Sequence, residues 1–188
     1  MRDEKVRLSF KYLNKFIVFL WKLGLSNWLN IWPKVFGRYL VITHTGRKSG
    51  ARFRTPVNYS IVDGSIYCVA GFGQVSDWYK NIKKNPKIEV WLIDGYWQGT
   101  AEEIINQPNQ IEIMRAVLIG SGFAARVFGI NPSKADDATL QYLTRDYCLV
   151  KLNLVNERTG NGGPNQYAWI WPIATFLLTI ALFRKRKK

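Results

Sequence analysis

Histidine is nearly missing from this sequence. His44 is the only one in 188 residues, and the cysteines number two, Cys68 and Cys148. That scarcity argues against a metal centre, since no CxxC or Cys/His spacing suits zinc. It also removes any Ser-His or Cys-His catalytic pair that does not use His44 itself. His44 follows "YLVIT" at a strand end and reads as a loop-edge or hydrogen-bonded histidine. Two thiols make no disulfide framework, and each sits in an apolar strand-like run, so both read as buried core thiols. Acidic residues are scarce as well, 13 against 27 Lys and Arg, which gives a formal net charge of +14. Such an excess favours anionic partners: acidic phospholipid, nucleic acid or an anionic cofactor. With 47% hydrophobic and 14% aromatic residues the chain is not disordered, and its length suits one domain.

Residues 1–37 read as an N-terminal amphipathic helical segment. Within residues 4–22, Val6, Phe10, Leu13, Ile17 and Leu20 fall on one side at 3- and 4-residue steps, with Arg7, Lys11, Lys15 and Lys22 on the other. Leu8, Val18 and Phe19 interrupt the polar side, a mixture that fits a membrane interface as well as a helix packed on its own domain. From residue 38 the period changes to that of strands. "RYLVITH", "TPVNYSI", "SIYCVAG", "KIEVWLI", "YWQGTAEEI" and "YCLVKLNLV" are six strand candidates, with hairpin turns expected at Asp63-Gly64 and Asp94-Gly95. "DWYKNIKKNP" reads as a short helix N-capped by Asp77 and ended at Asn85-Pro86. Residues 109–145 read as helical, with breaks near Gly120 and Gly122 and at Asn131-Pro132. Short strands joined by hairpins predict an α+β fold built on an antiparallel barrel over residues 38–155.

Residues 156–166, "NERTGNGGPNQ", read as a flexible linker. Residues 167–183, "YAWIWPIATFLLTIALF", carry no charge. At 1.5 Å per residue they span roughly 25 Å, the lower limit for crossing a bilayer. Tyr167, Trp169 and Trp171 form an aromatic belt at one end, and Arg184, Lys185, Arg186, Lys187 and Lys188 make a basic tail (184–188) at the other. The expectation is a single-pass C-terminal transmembrane helix. The basic tail alone would put the C-terminus in the cytoplasm; a barrel with no export signal is expected to be cytoplasmic instead.

"THTGRKSGARFRTP", residues 43–56, gathers Arg47, Lys48, Arg52 and Arg54 around two glycines. It is not a Walker A loop, because Gly46 is followed by arginine and the preceding glycine spacing is wrong. A nucleic-acid patch would need charge alone. A phosphate cradle needs glycines that turn backbone N–H groups inward, with basic side chains around them, and Gly46 and Gly50 bracket Arg47, Lys48 and Ser49 in that way.

"TGRKSG…RTP", then an apolar strand, a hairpin, a glycine-rich turn and "DWYKNIKKNPKIEV", resembles the deazaflavin-dependent nitroreductase family, which includes deazaflavin-dependent quinone reductases. The resemblance covers about residues 38–104. It implies a split, FMN-binding-like β-barrel and a reduced 5-deazaflavin coenzyme of the F-420 type, carrying a phosphate and a polyglutamate tail. It carries the cofactor site onto Arg47, Lys48 and Ser49 in the loop, Arg54, Thr55 and Pro56 after it, and Trp78 and Asn81 in the helix motif. Gly71, Phe72 and Gly73 stand where the family often has a serine-lysine-glycine-glycine turn, and the glycines allow close backbone approach. Phe53 stands where the family usually has a further arginine. "GFAARVFGINPSKADD" replaces the tyrosine-rich segment of nitroimidazole-reducing members.

The implied function is hydride transfer from the reduced coenzyme to an electron-poor acceptor, with a quinone best matched to a membrane-bound barrel. The expected partners are membrane lipid and a small-molecule acceptor, not nucleic acid, and the oligomeric state stays open. No catalytic residue is singled out; Tyr67, Tyr79 and Tyr96 stand equal as proton donors. Two other readings remain: an FMN-dependent split-barrel oxidoreductase, and a basic membrane-surface protein with no cofactor.

Overall fold

The computed structural model describes residues 2–29, 31 and 37–186. The side chains of Val6, Arg7 and Arg186, and residues Lys187 and Lys188, all counted in the sequence reading, lie outside what is described. Helix α1 (Arg2–Lys22) and the single turn α2 (Ser26–Leu29) precede β1 (Tyr39–Thr45), β2 (Arg52–Val62) and β3 (Ser65–Ala70). After a 3-10 turn (Gly73–Val75) come α3 (Asp77–Lys84), β4 (Lys87–Leu92) and β5 (Gly95–Ile104). Then follow α4 (Gln110–Gly120), α5 (Phe123–Val127), α6 (Asp137–Leu143), β6 (Cys148–Glu157) and α7 (Ile170–Arg186). The six strands close an antiparallel barrel in the order β1-β2-β3-β6-β5-β4, with β1 paired to β4. The α+β antiparallel barrel expected from the strand pattern is therefore present.

Each hairpin has its own cause. Asp63 and Gly64 both take positive φ, the conformation a two-residue turn demands of them. At the second hairpin the turn residues are Ile93 and Asp94, and Gly95 is already paired to Leu92 in β5. A side chain at Gly95 would press on the Trp97 indole, so packing, not φ, calls for glycine there. Ser76, not Asp77, occupies the N-cap of α3, and Asp77 lies in its first turn, where its charge favours the helix dipole.

Alternation along the strands sorts side chains between the barrel interior and two outer layers. Leu40, Ile42, Val57, Tyr59, Cys68, Val90, Val150 and Leu152 fill the interior, joined by Tyr79 and Ile82 of α3. Both cysteines are free and buried. Val41, Trp91 and Tyr96 face outward and are covered by Ile17 and Trp21 of α1. On another side α4 lays Ile113, Met114, Val117 and Leu118 against Tyr67, Ile104 and Leu149.

The C-terminal expectation needs correction. Tyr167 and Trp169 lie in turns before α7, which has 17 residues and ends in Arg184, Lys185 and Arg186. Its uncharged part, 170–183, is roughly 21 Å long, short of a hydrocarbon core of about 30 Å. Among the described residues no helix is long and apolar enough to cross a membrane. Of residues 156–166, expected as a flexible linker, Asn156 and Glu157 complete β6, and the segment that follows is bonded to the barrel and to α1. Arg158 N donates to Tyr96 O (2.6 Å), Asn165 N to Trp21 O (3.0 Å) and Tyr167 N to Lys22 O (2.7 Å). Beyond them α7 leaves the barrel, and its described side chains are exposed throughout.

Candidate functional site

A cleft of about 1150 Å³ opens between the 46–51 loop, α3, α1 and the α4–α5 corner. One end is polar, with Arg47, Lys48, Ser49, His44, Thr55 and Asn81; the other is apolar, with Phe10, Phe72, Phe128, Val117, Leu118 and Ala125. The loop is tight. Gly46 N donates to Ala51 O (2.8 Å), Gly50 N donates to Gly46 O (2.9 Å), and Gly50 has φ of 66°. A Cβ on Gly46 would run into the Phe53 ring and the Ser49 hydroxyl.

Arg47 anchors this loop to α3. Its backbone N (3.1 Å) and Nη1 (3.0 Å) both donate to Asn81 Oδ1, and its Nη2 donates to Asp77 Oδ1 (3.0 Å). Lys48 and Ser49 remain exposed at the rim. Asn81, only 5% exposed, is one helical turn from Asp77, so one face of α3 holds both acceptors. Its amide Nδ2 lies 3.1 Å from His44 Nδ1, and His44 Nε2 lies 3.1 Å from Thr55 Oγ1. Burial pulls the His44 pKa from 6.5 down to about 4, against the opposing pull of the Asp77 carboxylate, so the imidazole is neutral at ordinary pH.

Strand parity separates the other cations from this cluster. His44 pairs with Phe53, and Ile42 pairs with Thr55, on the interior side. Arg52 and Arg54 alternate to the outside. Arg52 pairs with Glu89, which also binds Arg158. Arg54 touches the cleft wall, but its guanidinium lies over the Trp91 ring (4.9 Å) and donates to Gly162 O (3.1 Å).

The apolar end is built from three rings contributed by distant segments. Phe72 meets Phe10 (5.8 Å) and Phe128 (5.5 Å) edge-on, and Phe10 stacks on Phe128 (5.9 Å). Such pairs favour these offsets because ring edges are positive and faces negative.

Arg47, Lys48, Ser49, Arg54, Thr55, Pro56, Gly71, Phe72, Trp78 and Asn81 all line the cleft. Gly73 does not. It takes φ of 55° and packs on the Asp146 backbone, where a Cβ would overlap the carbonyl. Tyr67, Tyr79 and Tyr96 stay out of it too: Tyr79 bonds Glu103, Tyr96 bonds Glu89 (2.6 Å), and Tyr67 packs under α4. Sequence reasoning missed His44 as a cleft residue and missed that α1 forms a wall. A usable signal existed for His44, since it shares strand parity with Thr55 across the hairpin.

The family model for F420H(2)-dependent quinone reductase matches residues 31–130, more than half the chain. The chain belongs to that family, a family of oxidoreductases. No curated protein matches it. Among solved structures, a protein of unknown function from Agrobacterium tumefaciens is 18% identical with a TM-score of 0.46, over 65% of this chain and 50% of that one. The chain thus spans half that protein's length. A conserved hypothetical protein from Mycobacterium tuberculosis is 17% identical with a TM-score of 0.46, over 72% of this chain and 81% of the other. A structure described as an F420-H2 dependent reductase is 22% identical with a TM-score of 0.42, over 61% and 93%.

Proposed function

We propose that this family member binds a reduced deazaflavin coenzyme of the F-420 type in the cleft and reduces a quinone-like acceptor at a lipid surface. The observation that carries the proposal is the cleft's division into a cationic end and an aromatic end. A phosphate with an acidic tail needs exposed cations and donors at the rim, and Lys48 and Ser49 supply them. A flat ring system needs apolar walls, and Trp78, Val57 and Phe72 line the space beyond. When bound, the reduced coenzyme supplies a hydride, so the acceptor must take two electrons at once. FMN has no comparable support, since the family matched is the F420-dependent one.

The chain's own residues would then position and shield. Arg47 and Asp77 hold the loop on α3, and Asn81 fixes the loop backbone. The Phe10, Phe72 and Phe128 rings keep water from the acceptor end, where a quinone ring can stack.

The lipid side of the reading rests on α1 and α7. Tyr12, Phe16 and Phe19 form an exposed stripe on α1, while Leu8, Phe10, Leu13 and Ile17 line the cleft. Lys11, Lys15 and Lys22 flank the stripe. Trp171 Nε1 donates to Leu23 O (2.7 Å), so exposed α7 starts beside the end of α1. Both helices would lie on the bilayer surface, not across it, and α1 would put lipid next to the cleft wall.

Stopped-flow oxidation of the reduced coenzyme tests the function, using a menaquinone-like quinone and a nitroimidazole, with and without anionic liposomes. The expected result is faster oxidation by the quinone, with a margin that widens in lipid. Equal rates, or no oxidation by any quinone, refute the acceptor. Failure to bind the coenzyme refutes the reading as a whole.

A further inference from the structure

The proton on His44 can be located from its neighbours. Arg47 donates twice to Asn81 Oδ1, which turns the Asn81 amide NH2 toward the imidazole. An NH2 group has only hydrogens to offer, so His44 Nδ1 must be the acceptor. The ring hydrogen then sits on Nε2 and is donated to Thr55 Oγ1. Thr55 Oγ1 is left with its own hydrogen, for which the described residues provide no acceptor, and Thr55 lines the cleft. With one Thr55 Oγ1 lone pair taken by the ring N–H, the hydroxyl's own hydrogen is directed away from His44 and is left to be donated into the cleft.

We propose that His44 is a positioning residue: held as the neutral Nε2–H imidazole between Asn81 and Thr55, it fixes the Thr55 hydroxyl as a hydrogen-bond donor to an oxygen or nitrogen acceptor on the molecule in the cleft. The inference rests on the reading that this molecule is the deazaflavin coenzyme, whose ring system carries carbonyl oxygens and whose tail carries anionic ones. The chain from Arg47 to Asn81, His44 and Thr55 ties the anion-binding loop to one donor direction. Closing the loop on α3 and aiming the hydroxyl are then a single event. Burial supports the arrangement, since His44 is 3% exposed and stays neutral at neutral pH.

A single histidine makes the test clean. Tag-free protein labelled with 15N-histidine gives one imidazole, and long-range 1H–15N spectra at pH 7.5 assign its tautomer. The expected pattern is a protonated Nε2 and an unprotonated Nδ1. Titration with F420 then compares Thr55→Val, Thr55→Ser, His44→Phe and the double variant. Thr55→Val should weaken binding about tenfold, the scale of one hydrogen bond. Thr55→Ser should stay within about threefold of the parent. His44→Phe should weaken binding by itself, yet add little to Thr55→Val, because the two act through one hydroxyl. A protonated Nδ1, full affinity in Thr55→Val, or additive losses in the double variant overturns the proposal. If His44→Phe does not fold, the tautomer and the Val/Ser pair decide. A parent that binds no coenzyme overturns the functional reading instead, and the tautomer alone then decides the His44–Thr55 orientation.

Discussion

Mild acid should destabilise the barrel through His44 before it titrates most carboxylates. In the unfolded chain the imidazole takes up its proton near 6.5, whereas in the fold it stays neutral until about 4. Between those values the unfolded state binds more protons, so stability is full above pH 6.5 and is lost as pH falls toward 4. A depression from 6.5 to about 4 is equivalent to about 3 kcal/mol in total. The linkage relation gives a loss of about 1.3 kcal/mol from pH 7.5 to 5.5, and about 2.5 kcal/mol by pH 4.5. The charged groups beside the ring are Asp77, which favours the proton, and Arg47, which is bound to the same Asn81. The geometry sharpens the penalty. An imidazolium would point Nδ1–H at the Asn81 NH2, so the amide would have to turn and release Arg47. Urea unfolding midpoints at pH 7.5, 5.5 and 4.5 measure the effect, with His44→Gln as a reference that cannot titrate. The reference should lose most of the slope between pH 6.5 and 5. Parallel curves for the two proteins in that window would refute the argument.

Lys48→Ala should weaken F420 binding about tenfold or more, as expected for a charge-assisted contact, and leave the urea midpoint unchanged because Lys48 is exposed at the rim. Gly73→Ala places a Cβ on the Asp146 carbonyl oxygen at positive φ and should cost about 2 kcal/mol or more, read as a lower midpoint. Removing residues 170–188 should leave barrel stability within about 0.5 kcal/mol, since the described side chains of α7 are exposed, while co-sedimentation with anionic vesicles falls. Unchanged sedimentation would assign lipid contact to α1 alone.

What the sequence disclosed was mostly local. Asp63-Gly64 announces its hairpin because two adjacent positive φ values need those residue types. The inner face of α1 is visible as Phe10, Leu13 and Ile17 at helical spacing, but nothing local says that this face walls a cleft. The place of β6 between β3 and β5 depends on pairing across 45 to 86 residues, which no short-range pattern records. Glycine-rich composition makes residues 156–166 look loose, although backbone bonds from Arg158 to Tyr96 and from Asn165 to Trp21 tie the segment down; composition cannot register a carbonyl supplied from elsewhere. The apolar run before the basic tail read as a membrane span because charge-free length was counted without knowing where the helix begins.

The four cations of the basic loop show why charge density alone misleads about a site. Alternation in β2 sends Arg52 and Arg54 to the outer face, where Glu89 and the Gly162 carbonyl take them. Arg47 points the right way, but its guanidinium is committed to Asn81 and Asp77, and withdrawing it would expose the Asn81 oxygen. Lys48 is therefore the cation most able to change partners when an anion arrives, because its ammonium is exposed at the rim. The loop would recognise an anion chiefly through Lys48 and Ser49, because the backbone N–H groups of Gly46, Arg47, Gly50 and Ala51 already donate within the protein, and Arg47 would set the shape that makes this possible. Replacing Arg47 should accordingly loosen the loop as well as weaken binding, whereas replacing Lys48 should weaken binding alone.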